Sequence, residues 1–254
     1  QHFEDAWLSL EAGIPVLIEK PISDSLEDGA KIVRQAEKLG VPILTGYHRR
    51  HNPTIYDIKE KLNRGFIGKI VAVHGMFWLY KPDEYFEKSW RKSNGAGPVY
   101  INLCHDIDLM RYLLGEIESV QSISSNKNRC LEVEDTSVSI LNFASGVVGS
   151  ISVSDTIVSP WSYEFTANEN PVYHHASANC YWIGGTDGSI ELPKGTVWVH
   201  KGNKSWWEPI TSTTTVNKKS NSILNQLDNF IKVIQGHEKP IVTGLEGLKT
   251  SAVI

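Results

Sequence analysis

Two short, unbroken apolar runs, Val16-Leu17-Ile18 and Val41-Pro42-Ile43-Leu44, constrain this chain more than any other feature. An alternating strand can leave one face in water, but a run that is apolar at every position needs cover on both faces, the condition of a strand in a parallel sheet. Between the two runs, Ser25 followed three residues later by Asp28 supplies capping chemistry. Leu26, Ala30, Val33 and Ala36 mark a buried helical face, and Gly40 provides a left-handed stop. Upstream, Phe3, Ala6, Trp7 and Leu10 recur at i, i+3, i+4 and i+7, with Gly13 as the stop. Helix, strand, helix, strand at these lengths predicts part of a doubly wound α/β sheet.

The pattern changes after Gly46. Asn52-Pro53 is an N-cap and N1 pair for a helix carrying Ile55, Ile58 and Leu62, stopped by Gly65. Beyond it the strands lengthen: residues 70 to 78, 120 to 124, 137 to 143 and 147 to 153, the last two joined through Asn142-Phe143-Ala144-Ser145-Gly146 as a hairpin. Shorter strands follow at residues 181 to 183, 189 to 192 and 196 to 200. Leu224, Leu227, Phe230, Ile231 and Ile234 then mark a late helix ended by Gly236. The expected architecture is therefore residues 1–46 as the last part of a doubly wound sheet, and residues 47–254 as an α+β domain with a large, mainly antiparallel open sheet. The final residues, Thr250 to Ile254, read as the inside of another helix without a cap.

Charge and cysteine content narrow the classes of function. The 254 residues carry 25 Lys+Arg and 29 Asp+Glu, a formal charge of −4, so nothing favours nucleic acid or an anionic membrane surface. No apolar run approaches the roughly 20 residues needed to cross a bilayer. Three cysteines without a Cys-x-x-Cys give neither a disulfide framework nor a zinc knuckle, so a reducing cytoplasm is the expected compartment. The first residues lack the features of a signal peptide, and both ends read as cut from a longer protein.

Three places could carry chemistry. Glu19-Lys20-Pro21 closes a buried parallel strand, where ligands bind in open α/β sheets; a lysine there can stabilise a developing alkoxide, or simply face solvent. The Lys20-Pro21 bond is also a candidate cis peptide. The second place is Gly95-Ala96-Gly97-Pro98 and the helix after it. Leu103, Ile107, Met110 and Leu114 share one face there, with His105, Asp108 and Tyr112 near the other. His105 has the intrinsic pKa of a general base, and Asp108 at i+3 could orient it; a polar face meeting water is the alternative. In the third place, Tyr47-His48-Arg49-Arg50-His51-Asn52-Pro53, four potentially cationic side chains meet a helix N-terminus, suited to an anion, a polyhydroxylated ligand or a salt-bridge cluster. His174-His175 has no partner at metal-ligand spacing. The loops with Trp161 and with Trp206-Trp207 suit sugar stacking, packing or subunit contacts.

Taken in order, Glu19-Lys20-Pro21, then Gly46-Tyr47-His48-Arg49-Arg50-His51-Asn52-Pro53, then Gly97, His105 and Asp108, resemble the glucose-fructose oxidoreductase and inositol dehydrogenase (Gfo/Idh/MocA) family over nearly the whole chain. The resemblance implies a Rossmann domain that binds NAD or NADP, followed by an α/β domain carrying substrate and oligomer contacts, in a homodimer or homotetramer. It implies reversible oxidation of a secondary alcohol on a sugar, polyol or related cyclic alcohol. Lys20 and His105 become the catalytic pair, Glu19, Lys20 and Pro21 face the cofactor, and Asn102, Asp108, Arg49 and Asn52 contact substrate. Two departures stand out. No G-x-G-x-x-G fingerprint occurs in these residues, so the chain alone is expected to be inactive and its choice of nicotinamide unreadable. Ile101 stands where the family often has an Asp, four residues before the His; Asn102 beside it lies about 60° from His105 on an ideal α-helix. NAD-dependent glycoside cleavage and a non-catalytic dinucleotide-binding sensor are the two alternative uses of such a site.

Overall fold

The computed structural model describes residues 2–214 and 219–254. By contacts the chain divides into two compact units. The first comprises Gln1–Asn52, Ile107–Leu109 and Asn221–Ile254; the second comprises Pro53–Asp106 and Met110–Ser220. The sequence boundary at residue 46 is thus not the boundary in space. The first unit continues to Asn52 and recovers its last third from the far end of the chain, for reasons visible in single hydrogen bonds. Thr45 N–H donates to the Val242 carbonyl at 3.1 Å, and the Asn225 amide donates to the His51 carbonyl at 3.0 Å.

In the first unit, α1 (His2–Glu11), β1 (Val16–Ile18), α2 (Leu26–Leu39) and β2 (Ile43–Thr45) follow in the predicted order, and β1 and β2 pair in parallel with Ile18 opposite Thr45. The Ser25 hydroxyl accepts from the Asp28 N–H at 3.1 Å, and Gly40 takes the left-handed conformation that ends α2. Ala6, Leu10, Ile18, Ile22, Ile32, Val33, Ala36 and Ile43 form the core that this βαβ arrangement buries.

The second unit begins with α3 (Pro53–Asn63), β3 (Ile70–Trp78), α4 (Cys104–Leu114, of which Ile107–Leu109 group with the first unit), β4 (Ile117–Ser125), β5 (Thr136–Phe143) and β6 (Val148–Ser154). A single-turn α5 (Tyr163–Thr166) follows, then β7 (Tyr181–Gly185), β8 (Gly188–Leu192), β9 (Thr196–His200) and β10 (Ile210–Thr214). The eight strands form one sheet in the order β10-β9-β8-β7-β3-β6-β5-β4. It is antiparallel except where β3 runs parallel to β6, so the sheet is mixed rather than purely antiparallel. The β5–β6 turn is the predicted hairpin, with Gly146 at φ +84° and its N–H on the Phe143 carbonyl. Along β5, Ser137, Ser139, Leu141 and Phe143 are buried while Val138, Ile140 and Asn142 are exposed, the period-2 signature of a sheet covered on one face only.

The chain closes with α6 (Ser222–Ile234) and α7 (Gly244–Ser251) in the first unit. Contrary to the sequence expectation, the last residues are not inside an uncapped helix. The Thr243 hydroxyl caps the start of α7, and the helix ends at Ser251. Among the described residues, no helix is long and apolar enough to cross a membrane.

Candidate active site

The first unit gathers its candidate residues at one end of the parallel pair. β1 runs into Glu19-Lys20-Pro21 and β2 into the single 3-10 turn His48–His51, and the parallel register puts both exits at the carboxyl end of the strands. Gly46 N–H donates to the Ile18 carbonyl at 2.8 Å, and a Cβ on Gly46 would lie 3.3 Å from the Glu19 carboxyl group, so the glycine lets Glu19 lie flat against the neighbouring strand exit. The Lys20-Pro21 peptide is cis, and the Pro21 carbonyl meets His2 Nδ1 at 2.9 Å.

This corner is rich in cations. His48 is pushed down to about 4, chiefly by burial and then by the positive charges of Arg49, His51 and Lys20, so its ring is neutral at physiological pH. His51 is likewise pushed down to about 4, by burial and by Arg50. Arg49 and Asn52 are buried, and α3 starts at Pro53 directly after Asn52 as the sequence pair predicts.

Arg50 shows how the corner is held. Its guanidinium grips Asp108 through Nε on Oδ2 at 2.8 Å and Nη2 on Oδ1 at 2.7 Å, and Nη2 also donates to Glu246 Oε2 at 3.0 Å. The Thr250 hydroxyl adds a third bond to Asp108 Oδ1 at 3.0 Å. Asp108, expected to contact substrate or to orient His105, has both carboxylate oxygens engaged in this buried network. A planar fork against a carboxylate is the geometry in which arginine binds most strongly. Sequence reasoning could not have found Glu246 or Thr250, which come from the other end of the chain.

In the second unit, the glycine-rich segment leads into a π-helical turn, Val99–Leu103, which runs on into α4. Glu134 explains Gly97: a Cβ there would lie 2.1 Å from the carboxylate, whose Oε1 accepts the Val99 N–H at 2.9 Å. Because the turn is π and not α, Asn102 does not keep its ideal-helix angle to His105; π-turns of this kind recur at functional sites. Asn102 is half-buried, and its Oδ1 has no hydrogen-bond partner among the described residues. His105 opens α4 half-buried, and the polar side of the helix does not simply face water, since Asp106, Asp108 and Arg111 are all buried. Asp106, which the sequence reading gave no role, accepts a hydrogen bond from the Tyr181 hydroxyl. Lys20 belongs to the first unit and His105 to the second.

A family model described as the GFO/IDH/MocA C-terminal domain matches residues 55–191, and one described as an oxidoreductase family with an NAD-binding Rossmann fold matches residues 1–47. The chain is 25% identical over 260 residues to a 1,5-anhydro-D-fructose reductase of Ensifer adhaerens, covering 97% of this chain and 70% of that protein. It is 26% identical to the scyllo-inositol 2-dehydrogenase (NAD(+)) of Bacillus subtilis over 93% of this chain and 65% of the relative. The chain thus spans roughly two thirds of the length of these relatives. Among solved structures, the WlbA dehydrogenase from Bordetella pertussis, in complex with NADH and UDP-GlcNAcA, shares the fold with a TM-score of 0.74 at 24% identity, over 99% of this chain and 70% of that one.

Proposed function

Because the chain belongs to the Gfo/Idh/MocA oxidoreductase family, we propose that the protein it represents oxidises a secondary alcohol of a sugar, polyol or related cyclic alcohol, reversibly, with a nicotinamide dinucleotide. The observation that carries this reading is the position of Lys20, two residues past the end of a parallel strand and close enough to His48 for its charge to be felt there. The carboxyl end of such strands is where open α/β sheets bind ligands.

When bound, the nicotinamide supplies the hydride acceptor. The chain's own residues fit its neighbourhood: Glu19, Lys20 and Pro21 form the strand exit it would face, although the glycine-rich turn that cradles a pyrophosphate does not occur among these 254 residues. Lys20 donates to the substrate hydroxyl oxygen and stabilises it as negative charge develops. His105 takes the hydroxyl proton; an imidazole can hold that proton and return it in the reverse direction. Arg49, Asn52 and Asn102 present donors and acceptors suited to substrate hydroxyls. The exposed face of the large sheet, where Val138, Ile140 and Val148 stand in water, is the surface we assign to self-association in a cytoplasmic homo-oligomer.

The test is steady-state kinetics of Lys20→Ala and His105→Ala in the full-length protein, with a panel of sugars and inositols and either dinucleotide. Each variant should lose about 100-fold or more in kcat, and unchanged turnover in both would remove these roles. Product formed without net cofactor reduction would instead assign glycoside cleavage. Sedimentation of the same preparations reads the assembly, and a monomer would remove the sheet-face assignment.

A further inference from the structure

α4 does more than carry His105; it is fixed in rotation by contacts on a different side of the helix. Asp106 is fully buried, and its Oδ1 accepts from the hydroxyl of Tyr181, itself buried on β7. One turn further along the same helical face, Met110 lies over Gly75 of β3, the residue paired with Tyr181 across the sheet. A Cβ on Gly75 would stand 2.6 Å from the Met110 methyl and 3.0 Å from the Tyr181 ring. The missing side chain lets α4 come down onto the sheet, and Asp106 and Met110, at i and i+4, give it two adjacent footholds on β7 and β3.

The rotational setting matters because His105 precedes Asp106 and projects about 100° away around the helix. A roll of about 10° moves a group about 6 Å from the helix axis by roughly 1 Å. A displacement of that size costs a general base about 100-fold when the reacting atoms must align. Packing of Met110 alone is permissive, since a thioether adapts its rotamer to a shifted neighbour. A hydrogen bond from a phenol to a buried carboxylate is directional and costly to leave unmade. It therefore selects one rotation where apolar contact would tolerate several.

We infer that Asp106, held by Tyr181, is a positioning residue that sets the direction of the His105 imidazole. The inference rests on the proposed role of His105 in proton transfer, but the pair's hold on the ring can be read without turnover. The experiment uses Tyr181→Phe, which keeps the ring packed on Gly75, with Asp106→Asn as the second variant. In the 254-residue chain, the ring resonances of His105 are followed by NMR through a pH titration, with assignment from His105→Gln. In the full-length protein, kcat and KM are measured on the same substitutions.

In Tyr181→Phe we expect a displaced His105 ring resonance, an altered titration midpoint and a kcat lowered about 10- to 100-fold, with KM within about twofold. Asp106→Asn, if it folds, should move the ring in the same way. A purely structural pair would lower the melting temperature and leave the His105 resonances and kcat where they are, and that result overturns the inference. If the resonances move while His105→Ala retains full activity, positioning stands and the catalytic reading of His105 fails. If His105→Ala is inactive and the resonances stay fixed in Tyr181→Phe, the catalytic reading stands and the positioning inference fails.

Discussion

Two helices, α4 and α6, carry apolar stripes of similar regularity, and the fold treats them in opposite ways. Leu103, just before α4, is buried together with Ile107, Met110 and Leu114 along it, as helical spacing predicts, and Asp106, Asp108 and Arg111 are buried beside them. On α6 the stripe faces out: Leu224, Leu227, Ile231 and Ile234 are 61%, 42%, 53% and 52% exposed, while Ser222, Gln226 and Asn229 are covered. Asn229 gives the reason for that covered side. Its amide donates to Glu238 Oε2 at 2.9 Å and to the Lys239 carbonyl at 3.2 Å, and its oxygen accepts the Ile241 N–H at 3.2 Å, so one side chain shapes the turn into α7. A polar face can be the buried face where its groups find partners, as those of Asn229 do, although Gln226 Oε1 beside it is buried without a hydrogen-bond partner among the described residues. The comparison separates what periodicity states, that a helix forms, from what it leaves open, which side is covered.

If the burial of α4 depends on compensated charge, removing one partner should be the most damaging change. Asp108→Ala leaves the Arg50 guanidinium buried without its principal counter-charge and should cost about 3–5 kcal/mol in urea denaturation of the chain. A loss below about 1 kcal/mol would mean that Glu246 alone can hold Arg50.

The turn beneath α6 should instead fail through protonation. His48 and His51 ionise at about 4 in the folded chain against 6.5 for the free side chain, so the unfolded chain binds protons more readily. Their contribution is complete above pH 6.5 and is lost as the pH falls from there toward 4. At about 1.4 kcal/mol for each pKa unit, that is roughly 3 kcal/mol per histidine. Urea midpoints should drop across this window, and His51→Asn should flatten the drop. An unchanged slope in that variant would assign the acid sensitivity elsewhere.

The smallest effects belong to the outward stripe. Ile231→Gln should change the stability of this chain by less than about 0.5 kcal/mol, whereas Asn229→Ala, a few ångströms along the same helix, should cost about 1–3 kcal/mol through unmet hydrogen bonds. Equal losses would show that the stripe is covered after all.

Local chemistry was legible where it acts over a few residues. Ser25, Gly40, Asn142 to Gly146 and the Asn52-Pro53 pair all sit where their spacing places them, and the two unbroken apolar runs are the parallel pair. The strand β10 escaped notice because Ile210 to Thr214 is rich in Ser and Thr and lies at a sheet edge, where little apolar alternation is required. The parallel pairing of β3 with β6 was equally invisible, since no turn residue encodes a partner so far along the chain. Of the site, the residue types at Lys20, Asn102 and His105 were readable as candidates. The engagement of Asp108 by Arg50, the π-turn before His105 and the clamp of Asp106 by Tyr181 were not.

The sequence by itself determined the order of helices and strands, the caps that bound them and the motifs that identify the family, because each depends on spacing over one or two turns or on chemistry carried by a residue in isolation. Only the tertiary structure decided that residues 107–109 and 221–254 join the N-terminal unit, that α6 hides its polar side, and that two aspartates two positions apart on one helix meet an arginine and a tyrosine. Those outcomes depend on which groups from distant parts of the chain arrive to satisfy a buried charge or hydrogen bond, and no local pattern records the arrival.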